Sequence, residues 1–351
     1  MSSQTPLTQS CFSGPDQPPL LNETLGHLLD RVADTYPANE ALVVRHQGIR
    51  WTYARYREEI DKLAAGLLTL GLVPGDRLGI WAPNCYEWCL TQYATARIGV
   101  ILVNINPAYR VFELEYALNL SGCRAVISAE RFKSSEYLQM LQDIAPELAH
   151  CEPGTLKASK LAMLEIVIRT GAGKTPGMYN FDDVCDRARD EDLARVRHLQ
   201  STFDPHDAIN IQFTSGTTGN PKGATLTHHN ILNNANIVAS GMKFTHRDRL
   251  CVPVPLYHCF GMVLGSLACV SKGAAFILPA DAFEPGAVLE TVQEEKCTAL
   301  HGVPTMFIAE LEYPDFNQYD LSSLRTGIMA GALCPAEVMK QVIGRMNMAE
   351  I

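Results

Sequence analysis

Apolar positions near the start of the chain follow a helical rhythm twice, with a strand-like run between. Residues 24–36 form an amphipathic pattern, and after Thr52 the apolar residues Tyr56, Ile60, Leu63 and Leu67 share one face until Gly71 stops the run. Thr52 stands where a hydroxyl caps a helix. Residues 40–45, between the two, read as a strand. The pattern then alternates: strand 76–82, helix 85–98, strand 100–105, helix 110–120 and strand 124–128. Residues 130–205 are charged and irregular.

Beyond that stretch the alternation resumes. Ile209, Ile211 and Phe213 alternate with Asn210 and Gln212, which predicts a strand over 208–213. A helix is expected from about His228, then strands at 250–254, 274–278, 298–303 and 324–329 with helical segments between. Short apolar strands separated by helices predict parallel sheets with helices on both faces. The expected organisation is a flexible segment over 1–21 and two doubly wound α/β subdomains, 22–205 and 206–351.

Composition narrows the class. The 351 residues are 47% hydrophobic and 19% charged, as in ordinary globular proteins. A net charge of −9 speaks against a nucleic-acid or anionic-membrane partner, which calls for a basic face. Eleven cysteines are an odd count without a CxxC pair. Cys251, Cys269 and Cys297 sit in apolar runs and read as small core residues, which fits a reducing, cytoplasmic compartment. The N-terminus lacks a charged segment followed by an apolar one, so no secretory signal is expected. The apolar stretch 262–270, broken by Gly265, is far too short for an integral membrane segment.

Candidate chemistry concentrates in Phe213-Thr214-Ser215-Gly216-Thr217-Thr218-Gly219-Asn220-Pro221-Lys222-Gly223. Hydroxyls, bare backbone N–H groups and one lysine in a short loop after a strand suit a polyphosphate. A second glycine-rich run, Gly171-Ala172-Gly173-Lys174-Thr175, imitates the end of a phosphate loop. Ile168 stands where that motif needs its first glycine, and Pro176-Gly177 breaks the chain where a helix should begin, so it reads as a surface loop.

The long loop resembles the nucleotide-gripping motif of the adenylate-forming (AMP-binding) ligases. The resemblance implies that Thr214, Ser215, Thr217, Thr218 and Lys222 contact the ATP phosphates, while Gly216, Gly219 and Gly223 allow close backbone approach. Pro255-Leu256-Tyr257-His258-Cys259-Phe260-Gly261 is similar to the family's acyl-pocket motif. His258 is then expected near the substrate carboxylate, with Tyr257 and Gly261 at the pocket; His258 and Lys222 are the catalytic candidates. Gly302-Val303-Pro304-Thr305-Met306 resembles the acyl-tunnel segment, giving Val303 and Pro304, and Gly331-Ala332 resembles the segment lying against adenine. No acidic residue occurs between Cys251 and Lys272, where amino-acid-activating relatives hold the ammonium, so a plain carboxylic acid is expected.

Stretches such as Asn104-Ile105-Asn106-Pro107-Ala108-Tyr109-Arg110 and Asn210-Ile211-Gln212-Phe213 resemble the medium-chain fatty acyl-CoA synthetase branch over roughly residues 22–348. That implies a medium- or long-chain fatty acid, ATP and coenzyme A as substrates, with no nucleic acid. The sequence contains none of the family's later motifs: the glutamate for Mg²⁺, the ribose aspartate and the C-terminal lysine. The expectation is therefore the family's N-terminal domain, truncated before its β-barrel and C-terminal domain, and largely inactive alone. Two alternatives stay open: a non-catalytic nucleotide- or acyl-binding module working with a partner chain, and an aryl-acid adenylating ligase.

Overall fold

In a computed structural model, which describes residues 19–214 and 220–351, the Thr24 hydroxyl accepts the His27 N–H and starts helix Leu25–Thr35. Thr52 likewise accepts the Arg55 N–H at 3.3 Å and starts helix Tyr53–Thr69, whose buried face carries Tyr56, Ile60, Leu63 and Leu67. The strands in chain order are β1 (Glu40–Val44), β2 (Ile49–Thr52), β3 (Arg77–Trp81), β4 (Ile101–Asn104), β5 (Ala125–Ser128), β6 (Arg131–Phe132) and β7 (Ser135–Glu136). They continue as β8 (Ile166–Arg169), β9 (Tyr179–Asn180), β10 (Ala208–Phe213), β11 (Gly223–Thr227), β12 (Arg249–Cys251), β13 (Ala275–Leu278), β14 (Ala299–Gly302) and β15 (Thr326–Met329).

Two large sheets result. One has the order β11-β10-β4-β3-β5-β8-β9, the other β15-β14-β12-β13-β1-β2. Each is parallel except for one antiparallel hairpin at an edge, β10–β11 in the first and β1–β2 in the second. Strands β5, β13 and β14 are buried along their whole length, as expected when helices cover both faces of a parallel sheet. The α/β reading of the sequence is borne out.

Sheet membership crosses the division expected at 205/206. Strands β1 and β2 join the sheet built mainly from residues after 249, and β10–β11 close the sheet built from residues 77–180. One buried cluster runs through both, from Leu25 and Tyr56 to Val254 and Phe276. Hydrogen bonds also tie the halves together. The Tyr53 hydroxyl donates to the Ala274 carbonyl at 2.7 Å, and Asn84 reaches Val254.

Three segments differ from the sequence reading. Strand β2 was not expected; it pairs with β1 because Gly48, at φ +66°, turns the chain back after Arg45–Gln47. The region 130–205 contains β8, β9 and helices Tyr137–Ile144 and Asp190–Gln200, short elements stabilised by packing rather than by a strong local period. Strand β11 precedes the expected helix, which spans His228–Gly241. Its residues Gly223, Ala224 and Thr225 are exposed, so no apolar alternation marks it.

The Gly171–Thr175 run is a surface loop. The Arg169 guanidinium donates to Thr175 Oγ1, and Asn180 Nδ2 donates to the Gly171 and Gly173 carbonyls. The ten cysteines among the described residues are all free, with Cys251, Cys269 and Cys297 fully buried. No helix among those residues is long and apolar enough to cross a membrane.

Candidate active site

The phosphate-loop candidate begins and ends on the two strands of a hairpin. Strands β10 and β11 pair in register from Asn210–Leu226 to Phe213–Gly223, and the Thr214 N–H donates to the Lys222 carbonyl at 2.9 Å. The chain thus leaves and re-enters the sheet at one point. The expected contacts Ser215, Gly216, Thr217, Thr218 and Gly219 lie outside the described residues. Lys222, just before the outer strand, and Gly223, its first residue, are exposed. The Tyr116 hydroxyl donates to the Pro221 carbonyl at 3.3 Å and ties the hairpin to helix Val111–Ser121.

Across the gap stands the turn that follows β12. The Asn84 side chain spans it, donating to the Val254 carbonyl at 3.1 Å and accepting the Leu256 N–H at 2.8 Å. Asn104 Nδ2 donates to the Tyr257 carbonyl at 3.0 Å. His258 caps the helical run that begins at Cys259: its Nδ1 accepts the Phe260 N–H at 3.1 Å. That bond puts the proton of the neutral ring on Nε2, which becomes the free donor. Partial enclosure holds the His258 pKa below its ordinary value, favouring this neutral form, and burial raises the Tyr257 phenol. Gly261 is required by a close approach, since a Cβ there would lie 2.4 Å from the Pro255 carbonyl oxygen.

These two segments share one cavity of about 610 Å³, bounded by Thr214, Tyr257 and His258 together with Tyr109, Phe213 and Leu226. Asn104 and Gln212 also face it. A neighbouring cavity of about 520 Å³ shares Tyr257 and Asn106 as a wall and carries Arg110, Lys133, Asp281 and Met306. Arg110 and Lys133 form no salt bridge with any other described residue.

The remaining candidates lie at the ends of β14 and β15. Val303 precedes helix Pro304–Leu311, with Pro304 buried at its first position. Gly331 turns the chain at φ +87°, and a Cβ there would sit 3.1 Å from Val303 Cγ1. Gly331 and Ala332 are exposed, and neither they nor Val303 and Pro304 line the two cavities, although Met306 one turn on does. Asn84, Asn104 and Gln212 were not singled out as site residues in the sequence. Asn104 ends an apolar strand and Gln212 interrupts one, whereas Asn84 lies in the loop after β3. Among the described residues, no three His, Cys, Asp or Glu side chains gather to hold a metal ion.

A family model for the AMP-binding enzymes matches residues 29–351. The chain belongs to the AMP-binding enzyme family. Among relatives of this AMP-binding chain, YngI of Bacillus subtilis (strain 168), provisionally named an acyl-CoA synthetase, is 48% identical over 332 residues, which is 95% of this chain and 60% of that protein. The medium-chain acyl-CoA ligase ACSF2, mitochondrial, of Rattus norvegicus is 44% identical over 337 residues, covering 95% of this chain and 55% of that protein. The chain thus spans little more than half the length of these relatives. The anthranilate CoA ligase AuaEII, solved with anthranoyl-AMP, superposes with a TM-score of 0.79 at 24% identity, over 95% of this chain and 59% of that one. The N-terminal domain of FACL13 from Mycobacterium tuberculosis gives 0.73 at 24% identity, over 93% and 74%. At these identities the two structures establish the fold.

Proposed function

We propose that this chain forms the ATP- and acyl-binding part of a fatty acyl-CoA synthetase. The observation that carries the reading is the single cavity between the loop-bearing hairpin and the Tyr257–His258 turn. It supports a substrate carboxylate near His258 Nε2 and an ATP phosphate tail at Thr214, with Lys222 next in the chain to Pro221 of its lining. In the first step a carboxylate oxygen attacks the α-phosphorus of ATP and pyrophosphate departs. Loop donors and the Lys222 ammonium stabilise the charge growing on the leaving group. The resulting acyl-AMP is a mixed anhydride, and the thiolate of coenzyme A displaces AMP from its carbonyl carbon.

Apolar walls from Tyr109, Phe213 and Leu226 suit an alkyl acid, and the names of the ACSF2 relatives support a medium-chain one. Val303 and Pro304 remain our candidates for the acyl tunnel, and Gly331 and Ala332 for the adenine edge. The adjoining cavity, with Arg110 and Lys133, suits the phosphates of coenzyme A. The free buried thiols support a reducing compartment; we read it as cytoplasmic, while the ACSF2 relatives are named as mitochondrial.

The test is release of pyrophosphate from ATP and decanoate by the protein as its gene encodes it, followed by acyl-CoA formation. Acid-dependent release supports the reading. Tight binding of ATP and decanoate with no release would replace it with a non-catalytic binding module.

A further inference from the structure

Two buried amides connect the halves of the proposed site. Asn104 on β4 and Asn210 on β10 are each 1% exposed, and neither is explained by the apolar cores around them. The strands are parallel neighbours, with Asn210 opposite Leu102 and Gln212 opposite Asn104. Asn210 Nδ2 donates to the Leu102 carbonyl at 3.0 Å and to Asn104 Oδ1 at 2.9 Å. Asn104 Nδ2 in turn donates to the Tyr257 carbonyl at 3.0 Å and lies 3.3 Å from Met262 Sδ. Gln212 Nε2 approaches the same sulfur at 3.7 Å.

The direction of this relay is fixed by its chemistry. Turning the Asn104 amide over would set two donors face to face at Asn210 and two acceptors face to face at Tyr257. Asn210 Oδ1 is buried with no partner among the described residues, so the donor side of that amide alone sets its orientation. The relay begins on the strand that enters the phosphate hairpin and ends on the carbonyl just before His258.

We infer that Asn104, held by Asn210, is a positioning residue for the adenylation proposed above. It sets the Tyr257–His258 turn, and hence the His258 Nε2 donor, in register with the phosphate-bearing strand. The inference rests on that functional reading for its kinetic consequence and on geometry alone for its structural one.

Two measurements test it in the protein as its gene encodes it. In steady-state kinetics, Asn104→Ala and Asn210→Ala each lower kcat with decanoate about tenfold, the effect of one unsatisfied buried hydrogen bond. The KM for ATP stays within about twofold, and the double variant loses no more than the more damaging single one, because both cut one relay. Asn104→Ser, which keeps a donor, recovers part of the loss. Additive losses, or an unchanged kcat beside a lower unfolding temperature, overturn the inference. The second measurement is the His258 ring titration by proton NMR, which needs no turnover. Both alanine variants shift it if the relay positions the turn, and an unmoved titration in both overturns the inference even if the protein activates no acid. An inactive wild-type protein whose His258 titration does shift in the variants overturns the functional reading and leaves the positioning role standing.

Discussion

The phosphate hairpin and the Tyr257–His258 turn face each other across one cavity but are held in opposite ways. The hairpin closes locally: residues 208–227 pair with themselves, and the Thr214–Lys222 bond closes the loop within nine residues of chain, while β10 also pairs with β4. Its outer strand is exposed. The turn is non-local, held by Asn84 and Asn104 from far earlier in the chain. A segment built by its own sequence is readable and tolerant of surface change. A segment built by distant side chains is neither, because each anchor is buried and has no substitute.

The largest expected effect falls on the hairpin and touches activity alone. Lys222→Ala is expected to slow pyrophosphate release about 100- to 1,000-fold, the usual cost of removing a donor from developing charge. Because Lys222 is exposed, its urea unfolding midpoint should not move. A lowered midpoint would show that the hairpin depends on this residue for folding and would weaken the contrast.

The turn should respond through stability as well. Asn84→Ala leaves the Val254 carbonyl and the Leu256 N–H unpaired, and Asn84 is 3% exposed. We expect a loss of about 3 kcal/mol in urea unfolding, one to two buried groups' worth, together with lost acid activation. A variant that keeps its stability would mean that other groups pin the turn.

Acid sharpens the comparison next. His301 on β14 is fully buried, its Nε2 lies 3.0 Å from the Leu264 carbonyl, its ring packs against Phe260, and burial lowers its pKa to about 4. The unfolded chain titrates near the ordinary 6.5 and so takes up the proton first, which makes stability fall as pH drops from 6.5 toward 4. The loss from this residue should reach about 2 kcal/mol by about pH 5. Unfolding curves of wild type and His301→Gln, compared at neutral and acid pH, should show a shallower pH dependence in the variant. Parallel curves would remove His301 as the cause. His228, also buried and lowered to about 4, adds a similar slope in both proteins.

The smallest effect lies at the far end of the hairpin. Thr227 caps helix His228–Gly241 by accepting the Asn230 N–H at 3.1 Å, and the Asn230 side chain accepts the Thr227 N–H in return. Thr227→Ala should cost about 1 kcal/mol of stability with little change in kcat. A large kinetic effect would show that the helix orients the phosphate loop.

Legibility in the sequence followed the same divide, with strand β11 the exception. The cap at Thr52, the alternation of 208–213 and the parallel strands were readable because their causes lie within a few residues. The loop and the His258 segment were readable as motifs of the family. Strand β11 was not, since an exposed edge strand needs no apolar alternation. The anchors Asn84 and Asn104 were not, because a buried amide looks like any other asparagine until its partners, more than 150 residues away, are placed beside it.

By itself the sequence determined the α/β class, the family and the residue types that could grip a phosphate and a carboxylate. These depend on short-range periodicity and on contiguous motifs. The tertiary structure alone decided that β1–β2 and β10–β11 join the sheets they do, and that Thr214 and His258 share one cavity. It also decided that two buried asparagines link them. Such facts depend on which distant surfaces exclude water from one another, and no local stretch of sequence contains that.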